Sequence, residues 1–241
     1  MSLILAHARA ETLQLARYPA YAIPTLLFPA ALLLVFGKRL EDDPQRLVAG
    51  FTATAVLGVA FFQFGVGIAL TRTSPWERYV RTLGVGPGAR LAARVMSALA
   101  FALLSASVVA VVGGTVLGAR LEWWRYGALL AVLAIGGIPF ALLGIALGYW
   151  LPPRSAVPVA NLVYLPLAVM GALWGKPDNL SPSADLASQL FPSRSWIELL
   201  EPAVHGGSVP IRHAAALVGW SFVFGAAAWL GYRRDEGERF T

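Results

Sequence analysis

The sequence contains no cysteine and few charged residues. The absence of cysteine excludes disulfide bonds and thiolate metal sites anywhere in the 241 residues. Only 13% of the residues are charged, about half the share in an average soluble domain. In contrast, 57% of the residues are apolar. Because one small globule cannot bury an apolar excess of this size, the composition indicates a protein that lies largely in lipid.

Long apolar stretches without charge occur six times along the chain. A membrane-spanning helix needs about 20 consecutive apolar residues, because the hydrocarbon core is ~30 Å thick and a helix rises ~1.5 Å per residue. The stretches show no alternation of polar and apolar residues, so helices are indicated rather than the strands of a barrel. We therefore predict an all-α polytopic membrane protein with six transmembrane helices. The predicted spans are residues 18–37, 47–71, 95–119, 126–150, 155–175 and 214–232.

The distribution of arginine predicts the orientation of the spans. Six spans place both termini on the same side of the membrane. With the termini inside, the loop between the second and third spans brings a group of arginines to the cytoplasmic side, namely Arg72, Arg78, Arg81, Arg90 and Arg94. By the positive-inside rule, we expect a multi-pass protein of the inner (plasma) membrane with both termini in the cytoplasm. Because the basic residues are scattered among loops, the net charge of +6 does not indicate nucleic-acid binding.

Three segments lie outside the spans. Residues 1–17 mix apolar and polar positions, and we expect them to form an amphipathic helix on the inner face, before the transmembrane domain of residues 18–232. Five prolines divide residues 176–213 into short pieces, which we expect to form short re-entrant helices at the outer face. Residues 233–241 are the expected cytoplasmic tail.

The loop after the second span contains a helix-start signal. Ser74, Pro75, Trp76 and Glu77 have the pattern of a capping box with proline at the first helical position. Gly84 supplies a left-handed stop. The short helix between these signals carries Trp, Tyr and Arg, which are favoured at protein interfaces. The pattern therefore predicts a helix that binds a partner, and the alternative is an interfacial helix that only anchors arginines near lipid headgroups.

The order of these parts resembles the permease subunit of type-2 ATP-binding-cassette (ABC) exporters, whose core is six spans preceded by an inner-face helix. SPWERYVRTLGVGPGARLAARV, residues 74–95, resembles the coupling segment of that family. NLVYLPLAVMGALWGKPDNLSP, residues 161–182, followed by LFPSRSWIELL, residues 190–200, is similar to its fifth span and short outer helices. Together with the N-terminal segment, the likeness covers nearly the whole chain.

The resemblance implies a role for each part. The residues that would lie in a groove of a separate ATPase subunit are Ser74, Pro75, Trp76, Glu77, Arg78, Tyr79 and Arg81. The N-terminal helix would pack beside them, and the outer helices near Trp196 would gate the exit. The chain would pair with a second permease copy, as a homodimer or a sibling heterodimer. One departure from the family is that Arg72 and Thr73 lead directly into Ser74, where the family often has a longer polar phrase.

The sequence lacks the phosphate-binding loop G-x-x-x-x-G-K-[ST] that an ATPase needs. Its Gly-Lys pairs, at residues 37–38 and 175–176, are followed by Arg39 and Pro177 instead of Ser or Thr. We therefore expect a transport subunit that holds no cofactor of its own. By the resemblance, ATP and Mg are bound by the partner ATPase.

Few polar side chains lie within the predicted spans. Gln63, Asn161 and Tyr164 are candidates for a translocation pathway. The alternative is that they form interhelical hydrogen bonds, as such side chains commonly do in lipid. Two glycine pairs have the spacing of close helix packing, Gly114 with Gly118 and Gly144 with Gly148.

Catalytic and metal chemistry have little support in the sequence. His7, His205 and His213 are far apart in the predicted topology, so we expect no metal site. Glu198 and Glu201 are expected on a solvated helix edge. The alternative function, a membrane-embedded enzyme acting on lipid or peptide, requires a nucleophile, an acid pair or a metal cluster at one membrane depth, and the Ser and Glu residues form no such set. A co-purifying ATPase would distinguish the two functions.

Overall fold

The computed structural model describes residues 3–40, 43–75, 87–175 and 181–237. Every regular element within these ranges is helical, which confirms the all-α prediction for them. A helix satisfies its backbone hydrogen bonds within one segment, as a chain in lipid requires. The helices are α1 Leu3–Ala16, α2 Pro19–Leu40, α3 Pro44–Thr71, α4 Pro87–Val116, α5 Trp123–Gly136, α6 Ile138–Trp150, α7 Ala156–Met170, α8 Pro182–Ser188, α9 Pro192–His205 and α10 Ile211–Gly237.

Four stretches of helix in the described ranges are long and apolar enough to cross a membrane. They are Pro44–Thr71, Ala92–Val116, Trp123–Trp150 and Ile211–Asp235. A shorter apolar stretch, Ala22–Gly37, lies in α2. Four of the six predicted spans therefore correspond to helices of spanning length, and the count of six stays a prediction.

The fifth predicted span is shorter as a helix than its apolar stretch. The 15 residues of α7 rise about 22 Å. Residues 171–174 then form a turn in which Ala172 has a φ of 53°. At Gly50 in α3, a Cβ would overlap the carbonyl oxygen of Leu173. The chain therefore leaves the helix at Met170 to cross the surface of α3, where the sequence predicts a helix to residue 175.

The fourth predicted span is interrupted near its middle. α5 ends at Gly136 and α6 begins at Ile138. Pro139 has no N–H to continue the α-helical bonding across this point. The break occurs where α9 contacts the bundle, since a Cβ on Gly136 would overlap the indole of Trp196.

α3 lies at the centre of the helical bundle. It packs against α2, α4, α6 and α9. Residues Ala60–Val66 of α3 form a π-helical segment. This geometry is rare in proteins, and where it occurs it is often at a functional site. α6 approaches this segment closely, because a Cβ on Gly144 would overlap the Ala60 carbonyl and one on Gly148 would lie 2.7 Å from Ile68 Cβ. The packing prediction for this glycine pair is thus confirmed.

The other glycine pair does not form a packing motif. Gly118 follows the end of α4 with a φ of 72°, in the left-handed region that suits glycine. The N–H of Ala119 beyond it donates to the Gly113 carbonyl at 3.1 Å. The prediction that Gly114 and Gly118 act together in helix packing is wrong, because Gly118 turns the chain after the helix.

Candidate functional site

α3 connects two polar clusters at opposite ends of the bundle. Its 28 residues rise about 40 Å. At one end, the Arg72 cluster consists of Arg72, Tyr149, Leu151 and Asp235. At the other end, the Arg46 cluster consists of Asp43, Arg46, Gly175, Glu201 and His205.

The predicted coupling segment begins at the Arg72 end. The N–H of Ser74 donates to the Thr71 carbonyl at 2.9 Å, and Pro75 is helical. The remaining residues predicted to bind an ATPase lie outside the described ranges, namely Trp76, Glu77, Arg78, Tyr79 and Arg81. The structure thus places the start of the segment directly after α3, and the docking role of its residues stays a prediction.

Arg72 contacts two other helix ends at once. Its Nη1 donates to the Tyr149 carbonyl at 2.5 Å and its Nη2 to the Leu151 carbonyl at 3.1 Å. The same Nη1 lies 3.1 Å from Asp235 Oδ1, and the two side chains are only 16% and 8% exposed. Carbonyls at a helix C-terminus have no partner within the helix and carry partial negative charge. The forked guanidinium can satisfy such acceptors together with a carboxylate.

Aromatic side chains next to the Arg72 cluster join α6 to α10. Trp150 Nε1 donates to the Ala227 carbonyl at 2.9 Å, and the guanidinium of Arg234 lies 5.5 Å from the Trp150 ring. Tyr149 meets Tyr232 edge to face, with ring centroids 5.5 Å apart. These contacts hold the end of α6 against α10 beside the cluster.

The chain that follows the expected ATPase-binding residues 74–83 is also anchored. α4 begins at Pro87, and Arg94 on its second turn lies 3.3 Å from Glu11 of α1. α1 packs along α4, and the expected packing of the N-terminal helix beside the ATPase-binding residues stays a prediction. The described chain on each side of residues 76–86 is therefore held to other helices, at Arg72 and at Arg94.

The three candidate pathway residues make different contacts. Gln63 lies in the π-helical segment and is 6% exposed. Its Nε2 donates to Ser97 Oγ on α4 at 3.5 Å. Tyr164 is 4% exposed, and its ring contacts Phe61 and Phe62 edge-on. Asn161 bonds to the Val157 carbonyl of its own helix at 3.1 Å. The contact of Gln63 fits the interhelical alternative, and the pathway role stays a prediction.

Trp196, the predicted outer gate, is completely buried. Its ring stacks on Phe140 with centroids 4.8 Å apart, and its Nε1 donates to the Val132 carbonyl at 3.3 Å. These partners flank the break between α5 and α6. α9 therefore reaches the middle of the Trp123–Trp150 stretch, and Trp196 fills the space that the break leaves.

The Arg46 cluster was not predicted from the sequence. Arg46 is 5% exposed, forms an ion pair with Glu201, and donates to the Gly175 carbonyl at 3.4 Å. Asp43 caps α3 by accepting from two backbone N–H groups and lies 2.9 Å from His205 Nε2. The sequence pattern does not reveal the contacts of Arg46 and His205, because their partners lie at least 129 residues away along the chain.

Glu198 and Glu201 do not lie on a solvated edge of α9, which corrects the prediction from the sequence. Glu201 pairs with the buried Arg46, and Glu198 lies 3.0 Å from Arg194 Nε. Both carboxylates are half-buried, because α9 packs into the bundle, where Glu201 meets Arg46 of α3 and Glu198 pairs with Arg194 one turn earlier on α9. Among the residues that the structure describes, no group of three His, Cys, Asp or Glu side chains could hold a metal ion.

Comparison with known proteins gives two matches. The family model of the ABC-2 type transporter matches residues 2–202. The chain is also similar to the protein named "Putative transport permease YvfS" of Bacillus subtilis (strain 168), with 22% identity over 234 residues that cover 93% of this chain and 94% of that protein.

Proposed function

Because the chain belongs to the ABC-2 type transporter family, we propose that it is the transmembrane permease subunit of an ABC exporter. In this proposal the chain forms the translocation pathway, and separate ATPase subunits drive it. The observation that carries the proposal is the extent of the family match, which includes α1, the coupling segment and most of α9. The name of the Bacillus relative supports a transport protein rather than an enzyme.

The Arg72 end is the proposed site of energy input. Residues 74–83 bind a groove of the ATPase on the cytoplasmic side, where ATP and Mg are held by the ATPase. Closure of the ATPases displaces this segment, and the flanking helices α3 and α4 tilt with it. The tilt shifts a central cavity between inward and outward exposure. Anchoring of both flanks, at Arg72 and at Arg94, supports this mechanism because a loosely tethered segment would move without the spans.

The exposed apolar surface supports residence in a membrane and pairing with a second permease copy. Large apolar side chains are exposed along three helices: Phe28 and Val35 on α2, Leu104 and Val111 on α4, and Phe222 and Trp229 on α10. Lipid can cover such faces without cost, and a second copy can cover part of them. We propose the inner (plasma) membrane, six spans and cytoplasmic termini as in the sequence analysis.

Capture of the ATPase tests the proposal. The chain is purified with an affinity tag from the membranes of its own source, and we expect it to retain a protein with the loop G-x-x-x-x-G-K-[ST]. Trp76→Ala should weaken this capture about tenfold or more, since an interface tryptophan contributes about 2 kcal/mol. The matched control is Trp123→Ala, which removes a tryptophan that is 85% exposed at the opposite end. Retention of no such ATPase, or equal capture by Trp76→Ala, would contradict the proposal.

A further inference from the structure

Arg72 lies where the coupling segment joins the end of α3. It caps α3 with a φ of −56° and a ψ of −29°, so its backbone continues the helical conformation. Ser74 follows two residues later. A displacement of the coupling segment therefore passes through the backbone of Arg72 before it reaches α3.

The side chain of Arg72 holds parts of two other helices. Two of its acceptors are main-chain carbonyls at the end of α6, Tyr149 and Leu151. The third acceptor is the carboxylate of Asp235 in the last turn of α10. Because main-chain atoms cannot rotate away as a side chain can, the link to α6 is to the helix itself. Burial of the pair strengthens these bonds relative to bonds in water.

We propose that Arg72 is the positioning residue through which movement of the coupling segment is transmitted to α6 and α10. This inference rests on the proposed function. A lysine cannot replace Arg72 in this role, since a guanidinium presents a rigid fork of donors and an ammonium a single point. Movement of α10 then reaches the other end of the bundle, where His213 Nδ1 lies 3.2 Å from Ser195 Oγ of α9.

The absence of native cysteine allows a direct test with one introduced thiol. Val209 is 65% exposed just before α10, and Val209→Cys reports on the far end of that helix. In the complex of this variant with its captured ATPase, we expect the rate of reaction with a membrane-impermeant maleimide to differ with and without Mg and ATP. In the Arg72→Gln background, we expect this nucleotide-dependent difference to be lost while ATPase capture and ATP hydrolysis remain.

Two further variants separate positioning from charge and folding. Arg154→Gln removes an arginine that is exposed in the turn after α6 and should keep the full nucleotide-dependent difference. Asp235→Asn leaves the bonds of Arg72 to the α6 carbonyls and should reduce the difference, which keeps the test decisive if Arg72→Gln does not fold. A merely structural role would lower thermal stability and leave the difference intact.

The outcomes distinguish this inference from the proposed function. Full retention of the nucleotide-dependent difference in Arg72→Gln or in Asp235→Asn overturns the inference and leaves the proposed function standing. The same holds if the ATPase is captured but ATP causes no difference at Val209→Cys in the unaltered background. If no ATPase is captured at all, both the proposed function and the inference are wrong.

Discussion

The two ends of the bundle both bury an arginine against a carboxylate, but they are built differently. At the Arg46 end, separate contacts lie beside the ion pair, and His205 adds one to Asp43. Arg125 Nη1 donates to the Val204 carbonyl at 2.8 Å. Gln45 Nε2 donates to the Arg120 carbonyl at 3.0 Å. At the Arg72 end, one guanidinium makes the contacts to both α6 and α10. Polar contacts spread over several residues favour a fixed structure at the Arg46 end. At the Arg72 end, the polar contacts from the end of α3 to α6 and α10 share one side chain, beside the aromatic contacts that join α6 to α10 directly, and this sharing favours transmission of movement.

Loss of Trp196 should have the largest effect, because this side chain holds α9, the helix that carries Glu201 and His205 of the Arg46 cluster, against the bundle. Trp196→Ala removes a completely buried indole and its stacking on Phe140, and we expect a loss of about 3 to 5 kcal/mol in the free energy of unfolding. Thermal unfolding in detergent measures the loss, with Trp123→Ala as the exposed control. A change as small as that of the control would show that α9 does not hold this end together.

The Arg72 end should be more sensitive to loss of its carboxylate than the Arg46 end. Asp235→Asn keeps the shape of a side chain that is only 8% exposed and removes the charge beside Arg72. We expect a loss of about 3 kcal/mol, at the lower end of the range for breaking a buried pair. The same unfolding experiment measures it, and an unchanged midpoint would contradict the assigned ion pair.

Glu201→Gln is the matched change at the Arg46 end. The Glu201 side chain is 36% exposed, and the Gly175 carbonyl and the neighbouring links remain after the substitution. We therefore expect a smaller loss of about 1 kcal/mol, between the values for exposed and buried pairs. If Glu201→Gln destabilises the protein more than Asp235→Asn, the contrast between the two ends is wrong.

The smallest expected effect lies between the ends, at the π-helical segment. Gln63→Leu removes the amide that reaches Ser97, and an interhelical hydrogen bond in lipid is worth about 0.6 kcal/mol. Ser97→Ala should have a similar effect, and the double variant should add little beyond either single change. Fully additive losses would show that the two side chains do not interact.

The sequence predicts the helices far better than their contacts. Charge-free stretches locate α3, α4 and the Trp123–Trp150 stretch, because every charge inside lipid is costly. They do not locate the end of α7, since residues 171–175 are as apolar as the helix before them and only the fit against Gly50 and Ser193 turns the chain there.

The Arg72 cluster shows why the candidate site was only partly predicted. Arg72 reads in the sequence as one more arginine of a cytoplasmic loop, a role that the positive-inside rule already explains. Its partners lie 77, 79 and 163 residues away, and two of them are main-chain carbonyls that no side-chain pattern reveals. In contrast, a capping signal is local, so the sequence predicts the helix start at Pro75 that the structure has.

The side of the membrane on which the coupling segment lies is the most direct test of the proposal that a cytoplasmic ATPase binds it. Thr73 is exposed between Arg72 and Ser74, and Thr73→Cys introduces the single thiol of the chain. We predict that a membrane-impermeant maleimide labels this thiol in inside-out vesicles, that added ATPase slows the labelling, and that intact cells show none. Labelling from the outside of intact cells would contradict it.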